Sequence, residues 1–566
     1  MLFAHAGTAL YAASDSPPPW SDIESTAAAA TAPDALSFIE PVTTSSIQEN
    51  DIGTSQMDSL LVQMPEADAA LAALDELTTA NPRARRFRVM QSVCTALENN
   101  QSLRIERLRP EISNTSIESA RGAFDTYLDA NIGMSRDESS RLGSLPEDRP
   151  TTYVRSSGKS VSKRRNGGVS LSGQLPTGTN WQIGFDASRN KTDTSESFWD
   201  ANLNLNITQN LLKGAGTDVN LVQVRTAQNN FVISLYQLQQ VVINLVTDVL
   251  NAYWDLYLST KTVEIRRKAY EVAKDQRIRT EELVRVGRAT PLDILAAQGE
   301  ESARVSDMIN ASADFKRRQI QFLRLINPNT QGLGWNTMPF PTETPKPPSE
   351  TIRIEDHVRL ARHYRPDLRQ AEIDLANGDL EVVRTANGLL PALDFVTNMG
   401  LIGSGDNYND AVNDIKEKNF PNWSVALQFS YPLQNRSARA SYRRANFQIL
   451  QAQESIRNFI QTIDYDVRLA IIEIDRTRQL LGSTKVTKQL RFEELRAEIE
   501  KYRVGRSTSL LVNQAQRDAI SAALAEVSSQ VDYIKSFILL YKVEGTTLQR
   551  YGIQPVMINA YSGVDN

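Results

Sequence analysis

Polar and apolar residues alternate strictly in two stretches of the chain. Ala201, Leu203, Leu205 and Ile207 interleave with Asn202, Asn204, Asn206 and Thr208, and Val425, Leu427, Phe429 and Tyr431 interleave with Ser424, Ala426, Gln428 and Ser430. A period of two sends successive side chains to opposite faces, so each stretch predicts a strand with one apolar and one polar face. Looser alternation over 128–134 and 393–401 supplies a second strand for each. The first pair is separated by about 41 more residues than the second, and that insertion alternates again at 169–175 and 181–187, around Pro176 and Gly178. This predicts an extra hairpin at about 166–190.

The remaining pattern is helical. Leu221, Val224, Phe231, Leu235, Leu238, Val242, Leu245, Val249, Ala252 and Leu256 recur at spacings of three and four, as do Tyr442, Ala445, Ile449, Ala452, Ile456, Phe459 and Ile463. Sustained seams of this kind indicate coiled-coil packing. They predict helices at about 217–284 and 437–501, each ~65 residues and ~100 Å long at 1.5 Å per residue. Helices of ~35 residues are expected after them at 291–326 and 509–544, and before the strands at 87–121 and 353–389. Two such helices end to end match one long helix in length.

The order of features repeats. Val286, Gly287, Arg288, Thr290, Leu292 and Gln298 recur as Val504, Gly505, Arg506, Thr508, Leu510 and Gln516, and Trp199, Leu203 and Leu205 as Trp423, Leu427 and Phe429. We therefore divide the chain into a first repeat at 82–330, a Pro-rich linker at 331–350, a second repeat at 351–548 and a tail at 549–566. Ahead of them, 1–14 reads as a truncated signal segment. The Ala/Ser/Thr/Pro-rich stretch 15–80 reads as a disordered leader, too polar to offset its ordering entropy.

Composition narrows the function. With 62 basic and 67 acidic residues the net charge is −5, which argues against a nucleic-acid partner. No apolar window reaches the length of a membrane-spanning helix, so any membrane span must be a β-barrel. The lone cysteine, Cys94, reads as a buried thiol, and His357 and His363 read as ordinary polar helix positions. With three histidines and one cysteine, no metal site, cofactor or catalytic set can be assembled, and the chain is not read as an enzyme. The Gly214–Ala215–Gly216 stretch lacks the lysine of a phosphate loop.

Four strands with one apolar and one polar face leave two open edges, which an oligomer would close. Two chains would give eight strands and a filled interior; three would give twelve and room for a passage. We assign Leu203, Leu205, Ile207, Val425, Leu427 and Phe429 to the lipid side, and Asn202, Asn204, Asn206, Gln428 and Ser430 to a wet lumen. Trp199 and Trp423 would sit at equivalent strand ends, where an aromatic girdle lies. The alternative is a soluble coiled-coil scaffold or tether whose strands only cap its helices. At the reversals, Gly287 and Gly505 supply the positive φ that ends a helix, and Thr290 and Thr508 can cap the next, with Pro291 and Asp293 assisting the first.

The runs RPDLRQAEIDLANGDLEVVRTANGLLPALDF, NWSVALQFSYPLQN, NLNLNITQNLLKGAG, VRVGRATPLDILAAQ and YRVGRSTSLLVNQAQ resemble the outer-membrane efflux proteins, the TolC-like export ducts. The resemblance implies a mixed, mainly α protein. Its long helices would form an α-barrel in the periplasm, and four strands per chain would contribute to a twelve-stranded transmembrane barrel of a homotrimer. It also implies an adaptor protein and an inner-membrane pump as partners, with Val286, Gly287, Arg288, Thr290, Val504, Gly505, Arg506 and Thr508 as adaptor contacts at the periplasmic tips. Two features depart from the family pattern. Leu511 stands where the first reversal has Asp293, and the extra hairpin exceeds four strands; we read the hairpin as an extracellular projection, with longer barrel strands as the alternative.

Overall fold

The computed structural model describes residues 84–141, 158–193, 195–326, 335, 337–348 and 352–553. Residues 1–14 and 15–80, much of the linker and the tail beyond 553 lie outside them. The first half runs β1 (Ala84–Phe87), α1 (Val89–Asn99), α2 (Gln101–Glu106), α3 (Leu108–Arg121), β2 (Tyr127–Arg141), β3 (Gly158–Gln174), β4 (Thr179–Thr192), β5 (Ser195–Asn210), α4 (Val222–Arg285) and α5 (Pro291–Ile326). The second runs β6 (Met338–Pro341), α6 (Ile354–Tyr364), α7 (Pro366–Asn387), β7 (Ala392–Gly405), α8 (Tyr408–Glu417), β8 (Pro421–Ser430), α9 (Arg436–Arg503) and α10 (Ser509–Glu544).

The seams are sustained helices of 64 and 68 residues. The helices expected at 87–121 and 353–389 are broken instead, for local reasons. Asn100 leaves the helical region and its side chain accepts a hydrogen bond from the Leu103 N–H at 3.0 Å, starting α2. Arg365 precedes a proline, which disfavours helical backbone at Arg365 itself, and Pro366 opens α7.

The chain forms two compact units. The first takes the described residues of Met1–Arg107, Gln237–Leu368 and Phe459–Asn566. Its core packs Phe87, Val93, Ile243, Leu250, Tyr253, Met308, Phe315, Phe322, Leu323, Phe340 and Ile538. The Pro-rich linker takes part in it: β6 pairs in parallel with β1. Buried Tyr253 fastens that pair, donating to the Phe87 carbonyl and accepting from the Thr342 and Glu343 N–H groups, each at 3.1 Å. Burial pushes its hydroxyl pKa up.

Two residue-level expectations fail in this unit. Cys94 is exposed, because its α1 turn buries Ser92, Val93 and Ala96 instead. His357 is buried, its Nδ1 against the Glu544 carboxylate, which also accepts from the Thr546 hydroxyl at 2.7 Å.

The second unit, Leu108–Tyr236 with Arg369–Asn458, holds one antiparallel sheet of six strands in the order β2-β3-β4-β5-β7-β8. This corrects the expected four. The extra hairpin lies beside the other strands: β3 pairs with β2 from Tyr127↔Ser172 to Arg141↔Gly158, and β4 pairs with β5. Nor does it project from the far end, because its turn lies at the helix end of the sheet. There the Gly216 N–H donates to the Thr177 carbonyl at 3.1 Å and the Asn210 N–H to the Gly178 carbonyl at 3.2 Å. The expected direct pairing of 128–134 with 201–207 is therefore replaced by β2–β3 and β4–β5. Helix α8 had no forecast; Ala411 and Ile415 pack on Ala187 and Ala201 of the sheet.

Candidate functional site

The register of the six strands sorts their side chains into two faces. One row crosses the whole sheet through Leu128, Leu171, Ile183, Leu205, Met399 and Trp423. Rows two residues away add Ala130, Val169, Phe185, Leu203 and Leu401 on one side, and Trp181, Ile207, Thr397 and Val425 on the other. Leu427 and Phe429 extend the same face on β8. Every strand, the hairpin included, thus contributes to one apolar band. The band stands open to the surroundings: Ile132 is 94%, Trp423 76% and Phe429 68% exposed.

The opposite face carries Asn202, Asn204 and Asn206 on β5 and Gln428 and Ser430 on β8. It is joined by Asp129, Asn131, Ser170, Gln182, Asp186, Asn398 and Ser424 from the other strands. Asn202 donates to Asp186 at 3.1 Å and Asn398 to Ser424 at 3.1 Å, linking neighbouring strands through side chains. Beyond the band, at the end away from the helices, the apolar face ends in Arg136, Lys163, Arg165, Arg189 and Lys191 on β2–β4. Trp199 sits in this zone, edge-on to Tyr408 of α8 at 5.6 Å and beneath the Arg189 guanidinium. Trp423 does not share its level in the sheet: it is in register with Leu205, six positions along β5 from Trp199, because β8 begins only at Pro421.

The two reversals in the other unit are built alike. Gly287 has φ +72° and Gly505 +75°. Each N–H donates to a carbonyl three residues back, and the next residue, Arg288 or Arg506, donates five back, to Leu283 or Lys501, at 2.8 Å. This pattern uses helix-end carbonyls that would otherwise lack partners. The caps that follow differ. At the first reversal it is Asp293 that accepts from both the N–H and the hydroxyl of Thr290, each at 2.8 Å, and these bonds hold its pKa below the usual carboxylate range. At the second, Thr508 Oγ1 accepts from the Leu511 N–H at 3.4 Å.

Around the assigned tip residues stand exposed apolar side chains that the sequence reading did not assign to the contact. Leu292 and Leu295 join Val286, and Leu510 and Leu511 join Val504. The signal for them was present in the sequence, apolar residues in the first turn of a helix whose cap is polar. Among the described residues no helix is long and apolar enough to cross a membrane. Nor is there among them a cluster of His, Cys, Asp and Glu able to hold a metal.

Residues 358–546 match the family model described as outer membrane efflux protein. Outer membrane efflux protein BepC of Brucella suis biovar 1 (strain 1330) is 20% identical over 380 residues, covering 65% of this chain and 78% of that protein. Among solved structures, the outer-membrane channel OprN superposes with a TM-score of 0.59 at 18% identity, over 81% of this chain and 90% of that one. The Campylobacter jejuni CmeC outer membrane channel does so at 0.57 and 14% identity, over 81% and 86%. The second repeat thus carries the sequence pattern of the outer membrane efflux proteins, and the chain shares the fold of solved outer-membrane channels.

Proposed function

We propose that the chain is one subunit of an outer-membrane efflux channel, a passive export duct of a tripartite efflux or type I secretion system. The observation that carries this reading is the sheet: an exposed apolar band crosses all six strands, and the other face is predominantly polar, with Val396, Ile402 and Ala426 as exceptions. A soluble tether has no use for such a band, which would be an association hazard in water. In a closed barrel the band faces lipid, with Leu203, Leu205, Ile207, Val425, Leu427 and Phe429 in it. The polar face, with Asn202, Asn204, Asn206, Gln428 and Ser430, then lines a water-filled exit. Three copies close the barrel, since its edges cannot be left open in a membrane. The long helices form the periplasmic duct, and the two reversals form its mouth.

At that mouth Val286, Gly287, Arg288, Thr290, Val504, Gly505, Arg506 and Thr508, with the leucines beside them, contact the adaptor protein that connects the duct to an inner-membrane pump. Apolar tips around a positively charged arginine suit a small, partly polar docking contact. The test uses Gly287→Val and Gly505→Val, where an added Cβ would meet nothing within 4 Å beyond the adjoining backbone, so that the change is confined to the tip. These proteins should reach the outer membrane as trimers yet lose export and adaptor cross-linking. Full export by the double variant would overturn the docking assignment. Recovery of the unaltered protein in the soluble fraction without detergent would overturn the channel itself.

A further inference from the structure

The apolar band does not run straight across the sheet. On β2 it comprises Leu128, Ala130, Ile132 and Met134, and on β8 Trp423, Val425, Leu427 and Phe429. Leu128 begins the β2 band at the helix end, whereas Trp423 begins the β8 band at the far end, and these two lie in the same row. Lower rows agree with this slant: where β4 and β5 carry polar Thr179 and Gln209, β7 and β8 carry Phe395 and Leu427. From one edge of the sheet to the other the band has slipped by the six positions from Leu128 to Met134. A bilayer is flat, so the strands must tilt to bring the band level.

We infer that β8 of one copy pairs antiparallel with β2 of the next, with Leu427 opposite Ala130, so that three copies close an eighteen-stranded barrel. This rests on the channel reading above. Both edges are available: β2 and β8 terminate the sheet, and with six strands per chain they run in opposite directions, as an antiparallel seam requires. Levelling the two bands sets the register, with Met134 beside Trp423, Ile132 beside Val425, Ala130 beside Leu427 and Leu128 beside Phe429. The sheet then slips six residues over six strand-to-strand steps, the seam included. One residue per step is ~3.3 Å along a strand for ~4.8 Å across, a tilt of about 35°. Transmembrane barrels tilt by about 35–45°, so the slant measured within one chain is what closure of the assembly demands. Eighteen strands lie in the range that leaves an open aqueous channel, wider than the twelve that the family resemblance implies.

Cysteine cross-linking tests the seam. In a Cys94→Ser background, Ala130→Cys with Leu427→Cys places two thiols on directly opposed residues of neighbouring copies, within disulfide reach. Mild oxidation of outer membranes should convert this protein to covalent dimers and trimers that survive boiling in detergent. Ala130→Cys alone, and Ala130→Cys with Trp423→Cys, four positions out of register, should stay monomeric after boiling. If unoxidised trimers are present in the membrane but the matched pair does not link, or the mismatched pair links instead, the seam is overturned while the channel stands. If no membrane trimers form at all, both fall.

Discussion

Two glycines with the same backbone sign should differ sharply in what they tolerate. At Gly178, φ +87°, an added Cβ would lie 2.2 Å from the Gly214 carbonyl oxygen, a backbone atom held in the strand-to-helix turn. At Gly287, φ +72°, it would meet nothing within 4 Å. Gly287→Ala should therefore cost only the left-handed conformation itself, about 1–2 kcal/mol. Gly178→Ala must also separate the hairpin from the turn beneath it. Comparison of folded, membrane-inserted yield should show Gly287→Ala near the unaltered protein and Gly178→Ala far below it; equal yields would mean that the hairpin turn is not fastened to the sheet. A second contrast concerns Glu544, fully buried between His357 and Thr546. His357→Leu leaves that carboxyl without its ring partner and should destabilise the helical unit by about 3 kcal/mol or more. His357→Leu with Glu544→Leu should recover part of the loss in thermal denaturation. The glycines were legible because Thr and Pro or Ser neighbours mark the turns around them. The His357–Glu544 pair was not, since its members lie 187 positions apart and neither has a local pattern that signals burial.

Strand and helix faces carry the next level of argument. Leu205 lies mid-band and Asn204 on the opposite face of the same strand. Leu205→Arg should impair membrane insertion, a lipid-facing charge at mid-barrel costing about 2–4 kcal/mol, whereas Asn204→Arg should insert normally; similar losses for both would show the two faces to be misassigned. The helix starts after the reversals differ in acid. Asp293 is bonded in its charged form by the Thr290 N–H and hydroxyl, so its folded pKa is depressed. Such a group stabilises above its unfolded pKa, and that contribution is lost as pH falls through the lower folded value. Amide protection at the start of α5, taken as the exchange rate relative to the intrinsic rate at each pH, should thus fall on acidification below the usual carboxylate range, while the start of α10, with Leu511 at that position, should not follow this titration. At this scale most of the fold was legible, because heptad seams and strict alternation are long and redundant signals. Helix α8 escaped notice although Tyr408, Ala411, Val412 and Ile415 have helical spacing, since ten residues between two strands read equally well as a loop. The breaks at Asn100 and Arg365 were equally visible in principle, as a capping side chain and a residue before proline.

The number of strands per chain is the feature least legible in the sequence, and in the proposed channel it decides the size of the exit. Alternation at 169–175 and 181–187 identified two strands but could not say whether they join the main sheet, because pairing partners are set by register over many residues and not by either strand alone. The register of β3 with β2 and of β4 with β5, together with the apolar band that runs on through them, puts them in the same sheet as the other strands. At a spacing of ~4.8 Å and a tilt of about 35°, eighteen strands enclose a backbone radius of about 17 Å, against about 11 Å for twelve. End-on averages of detergent-solubilised trimers in the electron microscope distinguish these two rings readily. The larger ring is expected. A ring of the smaller radius would mean that the hairpin leaves the wall on assembly and that β2 meets β5 directly, which would expose Val169, Ile183 and Phe185 to water on a strand pair with no lipid to cover it.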